Sequence, residues 1–226
     1  MIIIDAGNTN TVIAIYINNE VKYIKRIESK DLKKFEYEIN NYFKIKKKYL
    51  KNNFFFCILS SVVPKLNIIV KKTCLKNNFI FFNLTAKNIP FNIKFKYDKK
   101  LIGADRLANT VALVENKISN CLVIDFGTAT TFDIIKKPGI YLGGVIAPGI
   151  NLSINNLNKH TALLPRIYLK SKSKPYGKNT NDAINSGFIW GYQGLINNIL
   201  KKIKTSTKTN YKIILTGGHA KLFKNY

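Results

Sequence analysis

The chain opens on three apolar segments separated by polar turns. Residues 1–5 read as a buried strand ending in Asp5, Gly7 to Asn10 as a turn, and Thr11 to Ile17 as a second strand. Asn18-Asn19 is a two-residue turn of hairpin type, and Val21 to Ile27 predicts a third strand. Leu32, Phe35, Ile39 and Phe43 then fall on one helical face. Phe54 to Ser60 predicts a buried strand, Pro64 opens a helix at a position that suits proline, and Phe79 to Asn83 predicts another strand. The segment Ile89 to Leu101 is Lys-rich and irregular, and is expected to connect two halves.

The pattern then repeats with an extra helix in front. Leu107, Val111, Val114 and Ile118 space as an amphipathic helix. Leu122 to Asp125, Thr130 to Ile135 and Ile140 to Ile146 predict a second three-strand meander, with turns at Gly127 and Pro138-Gly139. A helix is expected after Pro148-Gly149, a basic loop over Tyr168 to Gly177, a long helix over about Asn181 to Ile203, and a strand over Lys212 to Thr216. Two α/β halves result, residues 1–100 and 101–226, each opened by a meander and each presenting one loop to a cleft. Gly187, Gly191 and Gly194 share the long helix with Trp190 and Tyr192, a spacing expected for close helix packing that could also form a dimer seam.

The first strand of each half ends in the same way, Asp5-Ala6-Gly7-Asn8-Thr9-Asn10-Thr11 and Asp125-Phe126-Gly127-Thr128-Ala129-Thr130. A strand tip that delivers a carboxylate, a glycine that admits close backbone approach, and hydroxyls beyond it make a cradle for phosphate and its metal. One such loop is an ordinary capped turn. Two, both starting a meander, point to phosphoryl chemistry.

Composition narrows the rest. The net charge of +25 invites a nucleic-acid reading, but Lys supplies 34 of the 37 basic residues and Asn occurs 28 times. That is the drift of an A/T-rich coding sequence, without the aromatic signature of RNA binding. A general attraction for anionic small molecules is what remains. No run of 18 apolar residues is present, so no membrane span is expected, and the short apolar N-terminus is not a signal peptide. Cys57, Cys74 and Cys121 are too few and too apolar in setting for a disulfide framework or a zinc site, which fits a cytoplasmic protein. His160 and His219 are isolated, with no metal expected at either.

A third motif, Gly103-Ala104-Asp105-Arg106-Leu107-Ala108-Asn109, opens the helix of the second half. Asp105 falls in the first turn, where an acid is stabilising in any helix. Arg106 is one of only three arginines, and its planar fork suits a carboxylate or phosphate in a way that lysine does not. An adjacent base and anchor would suit an acidic alcohol as substrate.

Taken in order, Asp5-x-Gly7-Asn8-Thr9, Gly103-Ala104-Asp105-Arg106-x-x-Asn109, Asp125-Phe126-Gly127-Thr128-Ala129-Thr130, Gly143-Gly144-x-Ile146-x-Pro148-Gly149 and Asn179-Thr180-x-Asp182-Ala183-x-x-Ser186-Gly187 resemble type III pantothenate kinase. The resemblance covers essentially the whole chain. It implies a duplicated actin-like, ribonuclease H-like ATPase fold of the acetate and sugar kinase/Hsp70/actin superfamily, two α/β halves with a nucleotide cleft between them. It also implies ATP-dependent phosphorylation of pantothenate to 4′-phosphopantothenate, the first step of coenzyme A synthesis, by a homodimer.

By the same resemblance, Asp5, Ala6, Gly7, Asn8, Thr9, Asn10, Thr11 and Val12 form the ATP loop, with Asp5 on Mg²⁺. Thr128 contacts ATP and Asp125 holds a monovalent cation, K⁺ or NH₄⁺. Asp105 is the general base, and Tyr97, Gly103, Ala104, Arg106 and Thr180 bind substrate, Thr180 from the neighbouring subunit. Tyr97 stands six positions before Gly103 where the family places seven, with Asp98-Lys99-Lys100 in place of the usual Asn-Pro. Gly217-Gly218 matches the adenosine site, and the C-terminus at Tyr226 is expected to be short for the family. The alternatives are another small-molecule kinase or nucleotide phosphatase of the same fold, or a regulatory homologue that holds nucleotide without turnover.

Overall fold

The computed structural model describes residues 1–50, 55–89, 92–96, 98–115 and 119–224. The chain forms two compact units, Met1–Asn92 with Asp98–Ala112, and the remainder. The division expected between residues 100 and 101 falls inside Asp98–Ala112, so the start of the helix bearing Asp105 belongs with the N-terminal strands.

The first unit is built on a five-stranded sheet of order β3-β2-β1-β4-β5. Its strands are β1 (Ile2–Ala6), β2 (Asn10–Ile17), β3 (Glu20–Glu28), β4 (Phe55–Ser61) and β5 (Phe79–Asn83). The meander pairs antiparallel, while β4 lies parallel to both β1 and β5. Asn18 and Asn19 have φ of 51° and 59°, the two left-handed residues that a type I′ hairpin turn requires. Helix α1 (Leu32–Lys46) is capped by Asp31, whose carboxylate accepts from the Lys34 amide at 3.0 Å. Of its predicted face, Phe35, Ile39 and Phe43 are wholly buried, each stabilising the fold by roughly 1.5–3 kcal/mol, whereas Leu32 in the first turn is exposed. Helix α2 (Pro64–Lys76) begins on Pro64 as expected and buries Leu66 and Val70 against the same core. Phe54, expected at the start of β4, lies outside the described residues.

The second sheet has the order β10-β7-β8-β9-β6. Strands β7 (Cys121–Phe126), β8 (Ala129–Lys136) and β9 (Ile140–Pro148) repeat the antiparallel meander, and β10 (Lys212–Gly217) lies parallel to β7 as β4 does to β1. Helices α4 (Ile150–Lys159) and α5 (Thr180–Thr207) cover this sheet, with Ile150, Ile154, Ile189 and Ile196 in the core.

Three elements differ from the sequence expectation. The irregular connection contains a two-residue strand, β6 (Lys94–Phe95), pairing with Ile140 and Tyr141 at the edge of the second sheet. Two residues are too short for periodicity to reveal. Helix α3 (Ala104–Glu115) starts before Leu107, because polar Asp105 and Arg106 form its first turn, while Ile118 lies outside the described residues. Helix α5 runs to Thr207 and stops on Lys208 in the left-handed region, at φ 49°.

Among the described residues no helix is long and apolar enough to cross a membrane.

Candidate active site

The first loop sits at the carboxyl end of β1, beside the end of its parallel neighbour β4, the place where open α/β sheets bind ligands. The ladder pairs Asp5 with Val12 and Ala6 with Thr11, leaving Gly7, Asn8, Thr9 and Asn10 as the connection. The Gly7 amide closes this turn on the Asn10 carbonyl at 3.1 Å, and the Ser29 amide donates to the Thr9 carbonyl at 3.1 Å. Thr11 is wholly buried with its hydroxyl 3.0 Å from that of Ser29. Thr11 and Val12 therefore anchor the loop, and its exposed part is Asn8 and Thr9.

Helix α3 brings Asp105 to the same region of the first unit. The Val62 amide continues the β4 ladder onto the Ala6 carbonyl at 3.1 Å. Val62 also packs against Gly103, where an added Cβ would lie 3.4 Å from its Cγ1 and 2.5 Å from an Asp105 carboxylate oxygen. That oxygen accepts the Arg106 amide at 2.8 Å, so the Asp105 carboxylate is turned back over the helix start. Ala104 and Arg106 are buried beside it, and Asp105 remains half-buried.

Asp5 shows the consequence of this approach. Its carboxyl is pushed above the usual range, first by burial and then by the negative charge of Asp105. The Ser60 hydroxyl and the Arg26 guanidinium work in the other direction. Ser60 faces Asp5 across the ladder, its Oγ near enough to act on the carboxyl but short of well-formed hydrogen-bond geometry. The outer side of Asp5 is open to solvent, which screens the whole effect.

Two converging carboxylates suit a divalent cation. Among the described residues no group of three or more His, Cys, Asp and Glu could hold one unaided. Mg²⁺ takes one or two carboxylates and completes its shell with water and phosphate, so it does not require a third protein ligand. In the sequence Ser60 is only a serine at a strand tip, and Arg26 stands out only as a rare arginine.

The second loop assembles wholly within the second unit. The Gly127 amide closes it on the Ala129 carbonyl at 3.1 Å, and Thr128 is exposed at its tip. Gly149 lies against the Thr128 and Gly127 carbonyls, where any side chain would overlap backbone. Gly217, at φ +87°, lies against Asp125, and the Gly218 amide donates to the Phe126 carbonyl at 3.1 Å. Asp125, Gly127, Thr128, Gly149, Gly217 and Gly218 thus form one cluster.

Thr180 is not part of that cluster's contacts. It is exposed at the first turn of α5, where the Asn179 side chain caps the Asp182 amide at 2.9 Å. The basic loop is fastened there: Ser186 Oγ and Trp190 Nε1 both donate to the Lys174 carbonyl, at 3.0 and 2.9 Å. Tyr97 lies outside the described residues. Gly187, Gly191 and Gly194 do not serve close helix packing within the described chain, for nothing lies within 4 Å of a Cβ added at any of them.

Two meander-opened α/β units with matching Asp-x-Gly loops define the actin-like and sugar-kinase class of fold. Solved structures agree. A Campylobacter jejuni protein described as a Baf family transcriptional activator superposes at TM-score 0.60, with 24% identity over 100% of this chain and 87% of that one. A Sinorhizobium meliloti protein described as a 2-dehydro-3-deoxygalactonokinase also gives 0.60, at 10% identity over 99% and 86%. MreB5 of Spiroplasma citri bound to ADP gives 0.50, at 11% identity over 96% and 84%.

Within that class, residues 1–202 match the family of type III pantothenate kinase, and the chain belongs to it. A type III pantothenate kinase of Pelagibacter ubique is 41% identical over 100% of this chain and 90% of its own length. One of Koribacter versatilis is 34% identical over 96% and 84%.

Proposed function

We propose that this chain transfers the γ-phosphoryl group of ATP to the primary hydroxyl of pantothenate, giving ADP and 4′-phosphopantothenate. The observation that carries the reading, beside family membership, is the convergence of Asp5 and Asp105 at the tips of β1 and α3. One carboxylate can serve a metal and the other a proton, which is the division of labour that phosphoryl transfer needs.

In the proposed mechanism the Asp5–Val12 loop receives the ATP phosphates, with Asn8 and Thr9 as its exposed contacts. Asp5 would hold Mg²⁺, which would supply neutralising charge to the phosphates. Asp105 accepts the proton of the pantothenate hydroxyl as that oxygen forms its bond to the γ-phosphorus and the bond to the bridging oxygen of ADP breaks. The half-buried setting of Asp105 and its bond from the Arg106 amide fix which oxygen stays free for that proton. Gly103, Ala104 and Arg106 line the acceptor side, where the buried guanidinium of Arg106 suits the carboxylate of pantothenate. Thr128 is assigned an ATP contact, and Tyr97 and Thr180 substrate contacts.

Asp125 is assigned to a monovalent cation, K⁺ or NH₄⁺. The support is that the Asp125 carboxylate oxygen lies against Gly217 in the same cluster that brings the Gly127 and Thr128 carbonyls against Gly149. A homodimer is proposed in which Thr180 serves the neighbouring subunit's substrate, supported by the open glycine strip on α5. A cytoplasmic location follows from the substrates.

Formation of phosphopantothenate from ATP and pantothenate with Mg²⁺, with and without K⁺, tests the reading. Turnover dependent on both metals is expected. Nucleotide binding without turnover would replace it with a regulatory role, and turnover of a neutral sugar instead would replace it with a different kinase.

A further inference from the structure

Asp5 on β1 and Ser60 on β4 are register partners in a parallel ladder. Along β4 the side chains alternate, Cys57 and Leu59 wholly buried in the core, Phe56 and Ile58 exposed on the opposite face. Ser60 continues that opposite face. Along β1 the same alternation sends Ile2 and Ile4 into the core and Asp5 the other way. Asp5 and Ser60 are therefore neighbours on one face of the sheet, on strands about 4.8 Å apart.

Ser60 is nevertheless only 8% exposed, and its Oγ, although it acts on the Asp5 carboxyl, completes no hydrogen bond of good geometry. A buried hydroxyl without a well-formed bond is costly, so it calls for a reason. The adjacent serine has one: Ser61 Oγ accepts the Val63 amide at 3.0 Å and shapes the entry to α2. The buried pair Thr11 and Ser29 satisfy one another at 3.0 Å. Ser60 alone among these is held at the loop with a hydroxyl that faces Asp5 and lacks a well-formed bond.

We propose that Ser60 is a positioning residue of the phosphoryl-transfer site, its hydroxyl donating to the Asp5 carboxylate when that carboxylate takes up a divalent metal with its nucleotide. A carboxylate has two oxygens. A hydroxyl on one of them fixes the plane of the group and leaves the other for the metal, and partners of this kind change metal affinity by about 10–100-fold. The proposal rests on the assignment of Asp5 to the metal.

The test measures Mn²⁺ binding by electron paramagnetic resonance in the presence of a non-hydrolysable ATP analogue. It compares the wild type with Ser60→Ala, Ser60→Thr and Asp5→Asn. Ser60→Ala is expected to weaken Mn²⁺ binding by about tenfold or more. It is also expected to raise the Mg²⁺ needed for half-maximal velocity in proportion, with a smaller change in kcat at saturating Mg²⁺. Ser60→Thr, which keeps the donor, is expected to restore both. Ser60→Cys, close in volume and a weak donor, carries the measurement if Ser60→Ala does not fold. Mn²⁺ binding unchanged in Ser60→Ala but lost in Asp5→Asn would overturn the proposal and leave the Asp5 assignment standing. Binding unchanged in both would overturn the Asp5 assignment, and this proposal with it.

Discussion

Gly217 lies so close to Asp125 that a Cβ on it would stand 2.5 Å from the Asp125 carboxylate oxygen, on a backbone already at φ +87°. Glycine is thus required at this strand tip twice over, by conformation and by space. Gly217→Ala is expected to lose at least about 1 kcal/mol of stability. It is also expected to displace the carboxylate assigned to the monovalent cation. Thermal unfolding with and without K⁺ checks both: K⁺ should raise the melting temperature of the wild type and not that of the variant. An equal K⁺ response in the two proteins would remove Asp125 from the cation site.

Asp105→Asn tests the general base. Asparagine keeps an oxygen for the Arg106 amide, so the helix start should survive. Turnover should fall by about 10²–10⁴, the usual contribution of a positioned base. Calorimetric binding of ATP should change little. Undiminished turnover would move the base elsewhere.

Asp5 was legible from sequence as a carboxylate at a strand tip, but its relation to Asp105 was not. The apolar run Ile2 to Ile4 and the glycine at position 7 announce a strand tip with a carboxylate. That Asp105, a hundred residues on, reaches the same place depends on Val62 bridging Ala6 and Gly103, a packing contact that no spacing encodes. Ser60 is silent for the same reason, since its meaning comes from the parallel register with Asp5. The meanders were readable because buried strands alternate over several residues. Strand β6 was not, because Lys94 and Phe95 are strand only through the edge that Ile140 and Tyr141 offer.

Asp5 is also expected to oppose the stability of the fold, weakly because its outer side is open to solvent. Its carboxyl is raised above the usual range, so the folded protein holds that proton more tightly than the unfolded chain does. Stability from this group is therefore greatest below the ordinary carboxylate value. It falls as pH rises through the interval up to the raised value, and stays lower at neutral pH. Asp5→Asn removes the charge that burial and Asp105 disfavour. It should melt at a higher temperature than the wild type at pH 7, while losing Mg²⁺-dependent turnover. A lower melting temperature at pH 7 would mean that Asp5 is held by contacts that outweigh its repulsion from Asp105.

The two halves make a final, opposite pair of predictions. Ala6 pairs with Thr11 where the first loop closes, and Phe126 pairs with Thr130 where the second does, so the two threonines hold equivalent places. Both are wholly buried. Thr11 has the Ser29 hydroxyl at 3.0 Å, whereas Thr130 Oγ1 has no hydrogen-bond partner. Valine matches threonine in shape and lacks the hydroxyl. Thr11→Val strands the buried Ser29 hydroxyl and should cost about 1–3 kcal/mol. Thr130→Val removes an unpaired buried hydroxyl and should be neutral or stabilising by up to about 1 kcal/mol. Urea unfolding of both variants measures the difference. The sign matters more than the size, because a Thr130→Val protein that unfolds as readily as Thr11→Val would show that the second threonine holds its loop through a bonded hydroxyl as the first one does.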